Sequence, residues 1–319
     1  FYRGRTAKLI AADMKAHGGL LSAEDLENYA TRRVEPLWGE FRGYRVASNR
    51  PPGGGVMLIE MLQILENFDL RGMGHNSVDY VRTVCEAMKR ATSDKDNFVG
   101  DPDFVDVPLE RLTDKGYAAE HAASIRAGEV ASVERYSAEA SQTTHIAILD
   151  ADGNAVSMTH SLGMPSGVII DGLGFMFNGC MGVFDPRPGR TGSISPGKAR
   201  FSSICPTIVF EGDDPVLVIG APGGTQIAMG VLQTTLNALE FEMPITEAII
   251  APRFSATSNA IDVSNRIPQS VTRALEAEGY EIVRSHLSYA FAAVHGLKLQ
   301  DGEWAGAADP CHDGMALAL

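Results

Sequence analysis

The stretch TTHIAILDADGNAVSMTHS, residues 143–161, contains two runs of strand-forming residues on either side of Asp152-Gly153. Asp-Gly between two such runs is a strong signal for a tight turn that joins antiparallel strands. The stretch PTIVFEGDDPVLVIG, residues 206–220, has the same pattern around Gly212. The second half of the chain is therefore predicted to contain at least two β-hairpins.

Helical patterns surround these hairpins. Residues 4–17 place Ala7, Ile10, Ala11 and Met14 on one helical face, and Gly18-Gly19 ends the pattern. The sequence also predicts a capping box from Ser22 to Asp25, strands within 34–48 with Gly39 and Gly43 as turn or bulge points, and a PPGGG loop at 51–55. Helices are predicted after that loop, over 77–96, over 109–126 and from Gly223-Gly224 to about Leu239. Hairpins flanked by helices indicate a layered α+β architecture.

The composition is that of a globular protein with an acidic surface. The 319 residues carry a formal net charge of −13, which disfavours nucleic acid and anionic membranes as partners. No apolar run approaches the roughly 18 residues that a membrane span requires. Four cysteines, at 85, 180, 205 and 311, match no metal-binding spacing and are expected to be free thiols. We therefore expect no metal, no organic cofactor and no membrane span.

Thr143 lies where a polar segment, SVERYSAEASQ at 132–142, meets the first strand of the hairpin. A threonine hydroxyl is a weak nucleophile and needs a base. If the chain is cut between Gln142 and Thr143, the new α-amino group, with a pKa of about 7.7–8.0, supplies that base. The alternative is that Thr143 is an ordinary strand residue, since threonine favours strands.

Two glycines follow the second hairpin in Gly220-Ala221-Pro222-Gly223-Gly224-Thr225. Their N–H groups would lie at the start of a helix, where they could stabilise a developing oxyanion. The alternative is a tight strand-to-helix turn.

Ser202 and Ser203 follow two cations, Lys198 and Arg200. Adjacent hydroxyls beside positive charges could bind a substrate carboxylate. A polar loop without a ligand is the alternative.

Together these segments resemble the γ-glutamyltranspeptidase family over almost the whole chain. The resemblance rests on FYRGRTAKLIAADMKAHGGLLSAEDLENY, PPGGG, GDPDFVDVP, TTHIAILDADGNAVSMTHSLG, ARFSSICPTIVF, GAPGGTQI and EAIIAPRF, in this order. It implies an N-terminal-nucleophile hydrolase with a four-layer αββα sandwich of two antiparallel sheets. Residues 1–142 would be the C-terminal part of a large subunit, and 143–319 a small subunit cut from the same precursor, with the chain beginning inside a longer protein.

The resemblance also implies roles for single residues. Thr143 would be the nucleophile and Ser161 the residue that orients it, while Gly223 and Gly224 would form the oxyanion hole. Ser202 and Ser203 would hold a substrate carboxylate. Two positions depart from the family pattern: Gly163 replaces an asparagine, and Val183 replaces the acidic residue that binds the glutamyl α-amino group.

The expected function is acyl transfer or amide hydrolysis through a threonyl acyl-enzyme, with a small γ-glutamyl or other amide as donor and water or an amine as acceptor. The departures at Gly163 and Val183 leave two alternatives open. One is an amidohydrolase for a non-glutamyl amide, similar to oxamate amidohydrolases or cephalosporin acylases. The other is an inactive homologue that acts as a binding protein.

Overall fold

The computed structural model describes residues 1–133 and 143–318. The helices are α1 (Arg5–His17), α2 (Ala23–Asn28), α3 (Gly55–Glu66), α4 (Leu70–Met73), α5 (Val78–Phe98), α6 (Leu109–Leu112), α7 (Lys115–Arg126), α8 (Ile227–Leu239), α9 (Ile245–Ile250) and α10 (Gln269–Ala277). The strands are β1 (Leu37–Phe41), β2 (Tyr44–Ser48), β3 (Thr143–Leu149), β4 (Ala155–Ser161), β5 (Pro165–Ile169), β6 (Met176–Asn178), β7 (Thr207–Glu211), β8 (Asp214–Gly220), β9 (Phe254–Ser255), β10 (Ile261–Val263), β11 (Ile282–Arg284), β12 (His295–Gln300) and β13 (Glu303–Ala308).

A six-stranded antiparallel sheet forms the centre, in the order β1-β2-β7-β8-β12-β13. Three hairpins supply its strands, and the predicted hairpin at 206–220 is β7–β8. The pairing of β2 with β7, which places Val46 opposite Val209, joins the first part of the chain to the second. The two parts therefore share one sheet and one core.

Helices α3 and α8 cover one face of the sheet, α5 packs against α3, and α3 is buried from Gly55 to Leu65. Gly39, expected at a turn or bulge, lies instead in the middle of β1, paired with Val46. A Cβ at this position would lie 2.4 Å from Cγ2 of Ile59. The absence of a side chain at Gly39 therefore allows α3 to approach the sheet, while Gly43, with a φ of 86°, is the turn glycine.

The hairpin β3–β4 packs on the opposite face, against β8 and β12. Side chains alternate along these strands, so Thr143, His145 and Ala147 face the large sheet. The other side of the hairpin is apolar and 42–51% exposed at Ile146, Ile148, Val156 and Met158. The expected α+β fold with stacked antiparallel sheets is confirmed. Within the described residues, its layers are helices, the six-stranded sheet and the two-stranded sheet.

The remaining segments complete this frame. The capping box at Ser22 and Asp25 is present and begins α2, as predicted. One helix was predicted over 109–126, but the structure has two, α6 and α7. The Asp114 side chain accepts a hydrogen bond from Tyr117 N and thereby caps the start of α7. A small sheet contains the parallel pair β10–β11 beside β9, and β5 pairs with β6. Most of the predicted polar linker, 134–142, lies outside the described residues.

No helix in the described part of the chain is both long enough and apolar enough to cross a membrane.

Candidate active site

Thr143 and Ser161 lie opposite each other at the open end of the β3–β4 hairpin. The tight Asp152-Gly153 turn sets this register, since seven consecutive pairs lead from Leu149 and Ala155 to Thr143 and Ser161. Thr143 Oγ1 is 2.8 Å from Ser161 Oγ. Ser161 Oγ also accepts a hydrogen bond of 2.8 Å from the N–H of Gly163. The Thr143 hydroxyl is thus held by a side chain that is itself held by the backbone.

Gly223 and Gly224 lie between β8 and α8. A short 3₁₀ helix begins at Gly224 and leads into α8. The two φ angles, 151° and 59°, are ones that side chains disfavour, and a Cβ at Gly223 would lie 2.6 Å from Cα of Ala292. Within the described residues, neither N–H donates to a backbone acceptor. Both therefore remain available as donors at the start of a helix, where partial positive charge accumulates.

The backbone of the PPGGG loop holds the serine pair in place. Ser202 N donates to the carbonyl of Pro52 at 2.8 Å, and Gly54 N donates to the carbonyl of Ile204 at 2.9 Å. The Ser203 hydroxyl donates to the carbonyl of Gly224. Through this hydrogen bond, the Ser203 side chain holds the Gly223-Gly224 turn in place. In the part of the chain that the structure describes, Ser202 Oγ accepts a single long bond of 3.4 Å, from Ile204 N, and can donate its proton to a ligand.

These residues meet in one cavity. Its lining consists of Thr143, Ser161, Gly163, Val183, Arg200, Ser202, Ser203, Ile204, Gly224 and Ile227. Of the site residues predicted from the sequence, only Gly223 does not line it, although it directly precedes Gly224. Ile204 and Ile227 were not predicted as site residues, and Arg200 was noted only as one of two cations near the serine pair. The only sequence signal for Arg200 is its position two residues before Ser202.

The cavity carries positive charge and no carboxylate among the described residues that line it. Asp185, the nearest acidic residue in sequence to Val183, does not line the cavity. Its carboxylate accepts from Arg187 Nε at 2.9 Å and Nη2 at 2.7 Å, and this contact lowers the pKa of Asp185 to about 2. Asp185 is therefore committed to Arg187 and is not directed at the site.

His145 lies two residues beyond Thr143 on the same face of β3 and is buried between the sheets. Burial, with a smaller effect of His295, lowers its pKa to about 4, so the imidazole is neutral near pH 7. Nδ1 is 2.8 Å from Thr159 Oγ1. A Cβ at Gly220 would lie 2.3 Å from the ring, so the glycine makes room for it.

Two other features of the described residues lie away from this cavity. A cleft of about 700 Å³ lies between the ends of α3, α5 and α7. The two arginines that line it are already engaged with protein groups: Arg82 pairs with Glu278, and Arg126 donates to the Asn67 carbonyl. The second feature is a set of possible metal ligands, Glu60, Asp94 and His121, which lie within 4.8 Å of one another. None of these residues contacts the Thr143 cavity.

Stacked antiparallel sheets in an α+β fold, with a threonine hydroxyl at the first residue of a strand beside a glycine-rich helix start, define the structural class of N-terminal-nucleophile hydrolases. Within this class, the chain belongs to the γ-glutamyltranspeptidase family, since the family model described as Gamma-glutamyltranspeptidase matches residues 1–319.

Relatives and solved structures agree with this membership. The chain is 35% identical to the glutathione hydrolase proenzyme of Escherichia coli (strain K12), over 97% of this chain and 57% of the relative. It is 37% identical to the acylase ACY 1 proenzyme of Pseudomonas sp. (strain SE83), over 89% of this chain and 52% of the relative. The crystal structure of cephalosporin acylase from Bacillus halodurans superimposes with a TM-score of 0.87 and 29% identity, covering 99% of this chain and 58% of the other. The chain thus spans little more than half the length of these relatives.

Proposed function

We propose that the protein is a self-processing threonine amidohydrolase that releases the acyl group of a small amide to water or to an amine. The observation that carries this proposal is the 2.8 Å contact between Thr143 Oγ1 and Ser161 Oγ at the wall of a cavity that also contains Gly224. No metal or organic cofactor takes part in the proposed reaction.

Self-processing is the first step. Thr143 Oγ attacks the carbonyl carbon of Gln142, the C–N bond breaks, and the acyl group moves from nitrogen to oxygen as an ester. Water then hydrolyses the ester to give a Gln142 carboxylate and a free Thr143 amine. The products are a large-subunit piece that ends with residues 1–142 and a small subunit, 143–319. The word proenzyme in the names of the relatives supports such a cut.

Catalysis then uses both polar groups of Thr143. Its amine accepts the hydroxyl proton as Oγ1 attacks the amide carbonyl, and later gives that proton to the leaving amine. Ser161 orients the hydroxyl, and the N–H groups of Gly223 and Gly224 stabilise the oxyanion. Water, or an acceptor amine, attacks the acyl-enzyme and regenerates Thr143.

A matched pair of variants tests the processing step. Thr143→Ala in the full-length protein should remain one chain, whereas Thr144→Ala should be cut like the wild type, because Thr144 is exposed on the opposite face of β3. Intact-mass measurement identifies the pieces. A cut before residue 143 in the Thr143→Ala variant would refute the nucleophile assignment. An uncut wild-type protein would favour the alternative of an inactive binding protein.

A second question is whether the donor is a γ-glutamyl compound or another amide. The cavity lining favours the other amide, because Val183 and Gly163 offer no side-chain partner for an α-ammonium group. Burying an ammonium group without a partner costs several kcal/mol, which is enough to disfavour a γ-glutamyl donor. We expect a higher kcat/KM for glutaryl-p-nitroanilide than for γ-glutamyl-p-nitroanilide, and Val183→Asp should move the ratio towards the glutamyl compound. The opposite preference in the wild type would restore the γ-glutamyl donor.

A further inference from the structure

Three possible metal ligands meet inside the helical layer, away from the Thr143 cavity. Glu60 of α3, Asp94 of α5 and His121 of α7 each contribute one oxygen or nitrogen atom, and these atoms lie within 4.8 Å of one another. The three helices pack against each other in pairs. The expectation of no metal rested on the spacing of the cysteines. This cluster contains none, and its members are too far apart in the sequence to form a motif.

Two of these side chains have a buried atom that no protein group satisfies. Glu60 is 2% exposed, and its Oε1 has no hydrogen-bond partner among the described residues. The same is true of the buried Nε2 of His121. The group that faces Glu60 is Asp94, which is itself an acceptor when ionised. Because buried polar atoms nearly always have a partner, two unsatisfied atoms in one cluster point to a ligand that they share.

The distance between Asp94 and His121 fits a shared metal ion better than a hydrogen bond. Asp94 Oδ2 is 3.5 Å from His121 Nε2. An N–H···O bond is about 2.7–3.2 Å long, whereas two ligand atoms on one tetrahedral zinc ion, each about 2.0–2.2 Å from it, lie about 3.4 Å apart. The widest separation in the cluster, at most 4.8 Å, would have to shrink by about 1.4 Å, which small side-chain rotations can supply.

A chain of hydrogen bonds outside the three ligands orients Asp94. Tyr117 OH donates to Asp94 Oδ2 at 2.6 Å, and Arg111 Nη2 donates to Tyr117 OH at 2.9 Å. Metal-binding carboxylates are usually held by such outer hydrogen bonds. Arg111 is exposed, so water screens its positive charge from the cluster.

The charge of the cluster suits a divalent cation. Burial, and then the charge of Asp94, raises the pKa of Glu60 well above 4.5. In the metal-free protein a proton on Glu60 therefore relieves the repulsion between the two carboxyl groups. A divalent ion would displace that proton and neutralise both carboxylates. The His121 side chain is 20% exposed, so an ion can enter from its side of the cluster.

We propose that Glu60, Asp94 and His121 form a helix-bridging site for a divalent transition-metal ion, with Zn²⁺ as the best match and water as the fourth ligand. Imidazole nitrogen favours zinc, whereas magnesium and calcium prefer oxygen ligands. The ion joins α3, α5 and α7. None of its ligands lines the Thr143 cavity, so the ion takes no part in the threonine reaction and the inference does not depend on that reaction.

Zinc binding to the full-length protein, without an affinity tag, tests this site. After removal of metal with EDTA, bound zinc is measured by equilibrium dialysis and elemental analysis, and the Tm by calorimetry. The wild type should bind one more zinc ion per chain than His121→Gln, and zinc should raise the Tm of the wild type more. Tyr117→Phe removes only an outer hydrogen bond and should weaken zinc binding roughly 10- to 100-fold. The control His17→Gln replaces an exposed histidine that also faces an aspartate, and it should bind zinc like the wild type.

Each outcome decides the proposal. Equal zinc binding and equal Tm shifts in the wild type and His121→Gln would overturn the metal site, as would a wild type that binds no zinc. Glu60 and Asp94 would then be a carboxyl pair that shares a proton. If His121→Gln does not fold by circular dichroism, Tyr117→Phe decides: weakened zinc binding supports the site, and unchanged binding overturns it. A Tm rise with Mg²⁺ as large as that with Zn²⁺ would overturn the choice of a transition metal.

Discussion

Replacing Ser161 by alanine should slow the reaction without unfolding the protein. Among the described residues, the Ser161 hydroxyl has contacts of 2.8 Å with Thr143 Oγ1 and with Gly163 N. A neutral hydrogen bond contributes about 0.5–1.5 kcal/mol, so the two together contribute about 1–3 kcal/mol. If this energy serves to hold the nucleophile in its reactive position, kcat should fall roughly 5- to 150-fold.

The assay is kcat per processed active site, with site concentration measured from the burst of nitroaniline or by intact mass. Ser161→Thr keeps a hydroxyl at the same position and should retain most of the activity. Ser157→Ala is the structural control: Ser157 lies on the same face of β4 but bonds the Ile219 carbonyl and Thr207 N. That variant should lose stability and keep its kcat. A Ser161→Ala enzyme with the wild-type kcat would refute the orienting role.

Two further predictions concern a backbone donor and a buried acid. Gly224→Val should depress kcat roughly 100- to 1,000-fold with an unchanged circular dichroism spectrum, and near-normal kcat would reduce the Gly223-Gly224 segment to an ordinary turn. Burial, then the charge of Asp94, raises the pKa of Glu60 well above 4.5, in a cluster that also holds His121, Tyr117 and Arg111. Because the folded-state pKa is raised, the protonated Glu60 favours the folded state fully below pH 4.5, and this contribution is lost as the pH rises through the folded-state pKa. In urea titrations, Glu60→Gln should therefore gain stability relative to wild type by about 1.4 kcal/mol per pH unit between the unfolded-state and folded-state pKa values of Glu60, and a difference that does not vary with pH would contradict a protonated Glu60.

The elements that the sequence predicted well are those with local signals. Gly18 ends α1 in the left-handed conformation, and Ser22 with Asp25 begins α2. Where a local signal competed with a longer pattern, the prediction was wrong. The apolar spacing over 109–126 suggested one helix, but the Asp114 cap starts a second one.

The role of Gly39 shows a different limit. In the sequence it appears as a turn or bulge residue, because glycine in a strand often marks one. In the fold it is a paired strand residue that Ile59 of α3 approaches closely. The reason for this glycine lies on another element, about twenty residues away, so no local pattern contains it.

The sequence by itself determined the β3–β4 hairpin and, through its turn, the pairing of Thr143 with Ser161, because hairpin register depends on neighbouring residues alone. It also determined the family. Only the tertiary structure decided that Ser203 holds the Gly224 carbonyl, that Asp185 is bound by Arg187, and that Arg200 lies against Gly163. These contacts join loops whose approach depends on how β3–β4 and the PPGGG loop pack on the central sheet. The chain can encode such contacts, but spacing and composition do not reveal them.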